Sequence, residues 1–453
     1  MSAIENILGM LPDRVGDGKN SQIYTPPHIA KEMVNTLPED IWNKDTTFLD
    51  ICCKSGIFLY KIYQKLMESP SMQADFPDEI NRAKHIIHKQ LFGIAPSTFC
   101  QMFSTRTVYG YLDPESNIIS INEYELVMKN ADKSFLYKTL QKEFNTVKFD
   151  VVIGNPPYNN DAYLDFVTLG HQLSNKYTMM ITPAKWQAKG GAKNEQFRKE
   201  IVPYMEKIVY YPETHDIFEI DEHGGICYYL CDKHVHDIKN IRNICNSNES
   251  FNNIAEEDLH TLTLYVGAHR SIINKVGVTN STLMECVDAK QSKYVKKGEH
   301  GNDTGKYILF DGDKGNKFID TICTQDKLDT YRVVTHTLTG GAVKHFDKEN
   351  KCFGFGKVFI VDKNMVPSAN YVICNSFKTL EEAKSYYSYI NTKLIRLLLF
   401  YGVDSSTLGA YWFRFVPAPE AFDHIFTDAE LYEKYNLTQE EINIIGSVIK
   451  ERK

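Results

Sequence analysis

The sequence predicts an α/β fold on a mostly parallel sheet, followed by a second, more irregular domain. Three observations predict it. Over the first 240 residues, short apolar runs alternate with helical stretches, the pattern of strands joined by crossover helices. At 453 residues the chain exceeds the roughly 250–300 that one core usually sustains. Beyond about residue 240 the alternation stops and Asn, Lys, Thr and Gly become frequent.

In chain order, Thr25 before Pro26 and Pro27 reads as a capped helix start running through HIAKEMVNTL. TTFLDI (46–51) reads as a strand and IFLYKIYQKL as a helix. QLFGIA (90–95), FDVVIG (149–154) and YTMMIT (177–182) read as further strands. KIVYYP and GICYYLC suggest a hairpin that closes one edge of the sheet. Residues 290–317 are polar, lysine-rich and punctuated by glycine. Thr379 with Glu382, and Thr438 with Glu441, make capping boxes before two late helices, the first running through LEEAKSYYSYINTKLIRLLLF. The expected domains are therefore 1–240 and 241–453.

Composition bounds the function. With 43% hydrophobic and 24% charged residues the chain is of ordinary globular type. No apolar run reaches the ~18 residues of a membrane span, and the first twenty residues lack the basic start and apolar core of a signal peptide. Ten irregularly spaced cysteines point to reduced thiols, so a cytoplasmic location is expected. Cys227, Cys231, His234 and His236 fit no familiar zinc spacing, and no metal is expected. The net charge of -7 argues mildly against nucleic acid, although the local field of a cleft decides more than the sum.

The chemistry is concentrated in Asn155-Pro156-Pro157-Tyr158, at the carboxyl end of a strand, where open α/β sheets place ligands. Consecutive prolines stiffen the backbone and remove donors, leaving carbonyls as acceptors. An asparagine and a proline carbonyl can both accept from one NH2 group. They draw its hydrogens out of conjugation and favour a pyramidal, nucleophilic nitrogen. Tyr158 can stack on the ring that carries the amine. A second motif, Asp50-Ile51-Cys52-Cys53-Lys54-Ser55-Gly56-Ile57-Phe58, joins the first strand to the next helix. Its small-residue turn opens the helix amino end to a carboxylate, and Asp50 can meet an ammonium.

Tyr24-Thr25-Pro26, then LDICCKSGIFL, then GNPPY resemble the gamma-class N6-adenine DNA methyltransferases, especially the methylases of type II restriction–modification systems. The similarity continues through ITPAKW, FRKEIV, HGGICYYL, FRFVPAP and FTDAELYEKYNLTQEEI. The resemblance implies a Rossmann-like class I methyltransferase sheet with a C-terminal mixed α+β target-recognition domain. It implies S-adenosyl-L-methionine as cofactor, held by Tyr24, Thr25, Pro26, Asp50, Ser55, Gly56 and Phe58. It also implies that Asn155, Pro156 and Tyr158, with Pro157 between them, grip an adenine rotated out of double-stranded DNA. Lys54 stands where many members have glycine, and Ala95 where they often have an acid for the ribose.

Lys293, Lys296, Lys297, Arg332 and Lys344 are candidate DNA contacts, with Tyr294 beside the first three. Trp186 reads as a packing residue. Few residues precede Tyr24 and no acid-acid-lysine cluster stands out, so a methylase alone is expected, solitary or beside a separate restriction endonuclease. The alternatives are a protein-glutamine or RNA-adenine methyltransferase, or a non-catalytic scaffold with a degenerate cofactor site.

Overall fold

A computed structural model describes residues 14–15, 22–111, 113–122, 133–187, 191–211, 214, 217–218, 225–235, 241–245, 248–252, 271–277, 279, 281–290, 293–312, 317–337, 356–402 and 407–449. The chain divides into two compact units, Met1–Leu264 and Tyr265–Lys453.

In the first unit, helix α1 (Pro27–Thr36) turns Ile29, Ala30, Met33 and Val34 inward, an i/i+4 stripe that seats it on the sheet. Strand β1 (Phe48–Asp50) leads into α2 (Ile57–Glu68), and β2 (Leu91–Ala95) into α3 (Thr98–Tyr109). Strand β3 (Ile118–Ser120) and helix α4 (Ser134–Phe144) precede β4 (Phe149–Gly154). Then come α5 (Ala162–Leu173), β5 (Ser174–Pro183) and α6 (Ala192–Ile201). The remaining strands are β6 (Met205–Tyr211), β7 (Ile226–Asp232), β8 (Ile241–Cys245) and β9 (Asn248–Asn252).

These strands form one sheet in the order β9-β8-β6-β7-β5-β4-β1-β2-β3. From β3 to β5 every pairing is parallel, and only β7 among the strands up to β8 runs antiparallel to its neighbours. The mostly apolar character of β1, β2 and β4 follows from burial on both faces, with Asp50 and Asp150 as the exceptions. The chain moves outward from β1 to β3 and then restarts at β4 on the other flank of β1. The crevice between the carboxyl ends of β1 and β4 is thus the topological switch point, the ligand position of such sheets.

Two expectations about this unit change. KIVYYP and GICYYLC do pair antiparallel, as β6 and β7, but β7 inserts between β5 and β6. The edge is instead occupied by β9, because β8 pairs parallel to β6. The sheet therefore runs on to Asn252, beyond the change of texture at residue 240.

The second unit holds two three-stranded sheets. One orders β11 (Lys317–Ile319), β10 (Tyr307–Phe310) and β14 (Met365–Pro367). The other orders β13 (Val358–Val361), β12 (Tyr331–His336) and β15 (Tyr371–Phe377). Helices α7 (Leu380–Asn391), α8 (Lys393–Tyr401), α9 (Asp428–Lys434) and α10 (Gln439–Val448) complete it. Both capping boxes form, Thr379 with Glu382 and Thr438 with Glu441. The long helix expected after Thr379 is two, because Thr392 takes an extended conformation and its hydroxyl accepts from the Ile395 amide, capping a new start. Among the described residues, no helix is long and apolar enough to cross a membrane.

Candidate active site

The two motifs, about a hundred residues apart in sequence, meet at the switch point. The Ile51 amide donates to Ile153 O at 3.0 Å, and the Cys53 amide to Ile94 O at 2.8 Å. The loop after β1 is thereby stitched to β4 on one side and to β2 on the other. Gly56 caps α2 with φ +77°, and a Cβ there would lie 3.1 Å from Ser104 backbone atoms. Both the left-handed backbone and the closeness of α3 demand glycine.

One cavity is lined by Tyr24, Thr25, Asp50, Ser55, Gly56, Phe58 and Asn155, together with Ile23, Cys52, Lys54 and Ile57. Pro26, Pro156, Pro157 and Tyr158 are not among its lining residues. Pro26 is the N-cap of α1, while Pro156 to Tyr158 carry the chain from β4 into a short turn (Asn159–Asp161) and then α5. Tyr158 is buried, and Pro157 partly exposed.

Asn155 is 2% exposed. Its Nδ2 donates to Thr25 Oγ1 at 3.1 Å and to Ile23 O at 3.4 Å. A main-chain carbonyl can only accept, so the NH2 end of the amide must face Ile23 and the oxygen must face the other way. That oxygen, Oδ1, is buried and has no partner among the described residues. A buried acceptor left unpaired costs free energy, which a donor arriving there would recover. Thr25 does not cap α1, since its hydroxyl is used on Asn155 and no side chain caps that helix.

Asp50 is buried, with Oδ1 accepting from the Cys52 amide at 3.0 Å. Burial pushes its carboxyl up to about 7, against the pull of the Cys52 amide, the Lys54 charge and the Cys53 thiol. Burial also raises the Tyr24 phenol to about 12, helped by neighbouring Cys100. Lys54, which stands where many members of the resembled family have glycine, is buried with Nζ 3.0 Å from Asn155 O and 3.1 Å from Ile23 O. No local pattern signals this, because both partners are main-chain atoms of distant segments.

In the second unit the candidate DNA contacts separate. Arg332 is fully buried, donates to Asp362 O at 2.8 Å and lies over the Tyr294 ring, so it cannot meet a phosphate. Tyr294 is itself buried, its hydroxyl on Asp326 O. Lys293 is held between Asp288 and Asp326 and is mostly covered. Lys296 and Lys297 are exposed, and Lys344 lies outside the described residues. Trp186 packs edge-on against Phe197 and Tyr229 in the first core, as expected of a packing residue.

The sheet thus brings the Asn-Pro-Pro-Tyr turn and the buried Asp50 carboxylate together at its switch point, in a mixed α/β fold with a large central sheet. Residues 3–213 match the family model described as N-6 DNA Methylase. A Mycoplasma pneumoniae protein named an uncharacterized adenine-specific methylase is 28% identical, over 50% of this chain and 70% of that one. Among solved structures, a type I restriction–modification methyltransferase subunit from Streptococcus thermophilus aligns at 14% identity and a TM-score of 0.38, covering 56% of this chain and 54% of that one. The type IIG restriction endonuclease BpuSI aligns at 12% identity and a TM-score of 0.42, over 96% of this chain and 62% of that one. The chain thus spans little more than half the length of these structural relatives.

Proposed function

We propose that the chain transfers a methyl group from S-adenosyl-L-methionine to N6 of an adenine rotated out of duplex DNA at a specific sequence. The observation that carries this is the fixed amide of Asn155, whose nitrogen is tied down and whose buried oxygen is vacant.

The cavity fits the cofactor. The Asp50 carboxylate suits its ammonium, the amino end of α2 at Gly56 its carboxylate, and Tyr24 and Phe58 supply apolar wall. Thr25 and Ser55 add hydroxyls, and Pro26 sets where the strap turns into α1. Bound there, the cofactor supplies an electrophilic methyl on a sulfonium. The ribose partner is not identified by Ala95, which has no polar side chain.

Asn155 Oδ1 and the Pro156 carbonyl accept the two N6 hydrogens and shift the nitrogen lone pair toward the methyl. Tyr158 stacks on the base, and Pro157 keeps the turn extended. The new C–N bond forms as the S–C bond breaks, with the electron pair remaining on sulfur. The amine then loses a proton to water, so no strong base is needed. Duplex DNA and, beside this chain, a separate restriction endonuclease are the proposed partners.

The test is transfer of labelled methyl to unmethylated duplex DNA, followed by nucleoside analysis. N6-methyladenine at a discrete set of sites is expected. Label in RNA adenine or protein glutamine instead of DNA would overturn the reading, as would cofactor binding with no transfer to any of them.

A further inference from the structure

The loop residue Lys54 is 6% exposed, and its two hydrogen bonds join segments that are far apart in sequence. One acceptor, Ile23 O, belongs to the strap that passes over the cavity through Tyr24 and Thr25. The other, Asn155 O, belongs to the peptide bond that leads into Pro156. The Asn155 side chain repeats the link, because its Nδ2 also reaches Ile23 O and Thr25 Oγ1. Strap, cofactor loop and catalytic turn are therefore knotted at one ammonium.

Burying a lysine head group is costly unless its donors and its charge are both answered. Two carbonyls answer the donors, and the nearby Asp50 carboxyl senses the charge. A glycine at this position would offer none of this.

We propose that Lys54 is a positioning residue of the transfer reaction: it pins the Ile23–Thr25 strap and the Asn155–Pro156 peptide to the loop after β1. Because a peptide unit is planar, holding the Asn155 carbonyl also orients the turn into Pro156. The two acceptors of the amine are thereby fixed relative to the cofactor cavity. The inference rests on the function proposed above.

The test compares the wild type with Lys54→Met, which keeps length and apolar bulk but removes charge and donors. Lys54→Gln, which keeps one donor without the charge, serves if the first variant does not fold. Methyl-transfer kcat, S-adenosyl-L-methionine affinity by calorimetry across pH, DNA affinity and Tm are measured. Misplacing reacting groups by a fraction of an ångström costs on the order of tenfold to a hundredfold in rate, and that fall in kcat is expected. DNA affinity should stay within about twofold, since the duplex contacts are untouched. The pH midpoint of cofactor binding should move upward, because Asp50 loses its neighbouring cation while the Cys52 amide and Cys53 thiol remain. A folded variant with unchanged kcat and unchanged midpoint would overturn the proposal. So would a fall of kcat, DNA affinity and Tm together, which marks general destabilisation. If the wild type methylates no DNA adenine, the proposed function fails, while the shift of the cofactor midpoint still decides the role of Lys54.

Discussion

Thr25 Oγ1 accepts a hydrogen bond from Asn155 Nδ2 at 3.1 Å, although 130 residues separate them. A threonine placed to begin a helix instead tethers the Asn155 amide whose NH2 end the Ile23 carbonyl orients. Removing that bond by Thr25→Val should loosen the amide. Methyl-transfer kcat is expected to fall about tenfold, in line with ~1 kcal/mol or slightly more for one buried hydrogen bond. Steady-state kinetics of the variant check it; kcat equal to that of the wild type contradicts the tether.

Asn155→Ala deletes the buried acceptor itself. Loss of one preorganised group at a developing charge costs on the order of a hundredfold to a thousandfold in kcat. Cofactor affinity should change only a few fold, because the rest of the cavity wall is intact. Single-turnover methylation and calorimetry on the same preparation separate the two effects.

Under the proposed function, cofactor affinity is expected to depend on pH through Asp50. Its carboxyl is pushed up to about 7 by burial, and an ammonium is bound only by the ionised form. Affinity should therefore rise as pH increases toward and through about 7 and level off above it, with Asp50→Asn weak and flat throughout. Without cofactor the sign for stability is opposite. A carboxyl raised from 3.8 to about 7 stabilises the fold fully below about 4, and this contribution is lost as pH rises through 7. Thermal melts from pH 4 to pH 8, wild type against Asp50→Asn, measure it. A difference that grows with pH in favour of the wild type would be the wrong sign.

Arg332 and the Lys296–Lys297 pair should respond in opposite ways. Arg332→Ala removes a fully buried side chain and should destabilise the second unit by on the order of 1–3 kcal/mol. The salt dependence of DNA binding should be unchanged in the folded variant. For the exposed pair we propose phosphate contact. Lys296→Ala with Lys297→Ala should weaken binding equally for all sequences and lower the slope of log affinity against log salt by up to ~2. Titrations at several salt concentrations distinguish them; an unchanged slope for the double variant removes the pair from the interface.

Gly56→Ala is expected to be disruptive despite its size. It forces a side chain into φ +77° and sets a Cβ against the Ser104 backbone. A loss on the order of 1–3 kcal/mol, read as a lower Tm, together with weaker cofactor binding, would follow. A variant with wild-type Tm would show that the loop relaxes freely.

Much of this protein is local and was readable in one dimension. Apolar runs such as FDVVIG make a buried strand wherever they pair, because burial on both faces needs continuous hydrophobicity. Thr379 and Thr438 cap their helices through residues three positions away, so those starts are visible in the sequence. The stiffness of the Asn-Pro-Pro-Tyr turn is likewise local, because it is a property of the tetrapeptide itself. What no window of sequence contains is the choice of partner across the fold. Periodicity carries no information on strand order, so β7 could slip between β5 and β6 unannounced. Lys293, Arg332 and Lys297 look alike as basic residues, yet one is ion-paired, one is buried and one is exposed. Lys54 and Thr25 depend on the same long-range geometry. Their roles are set by a lysine and an asparagine from distant segments arriving at the same carbonyl, Ile23 O, an outcome of packing that residue type alone cannot encode.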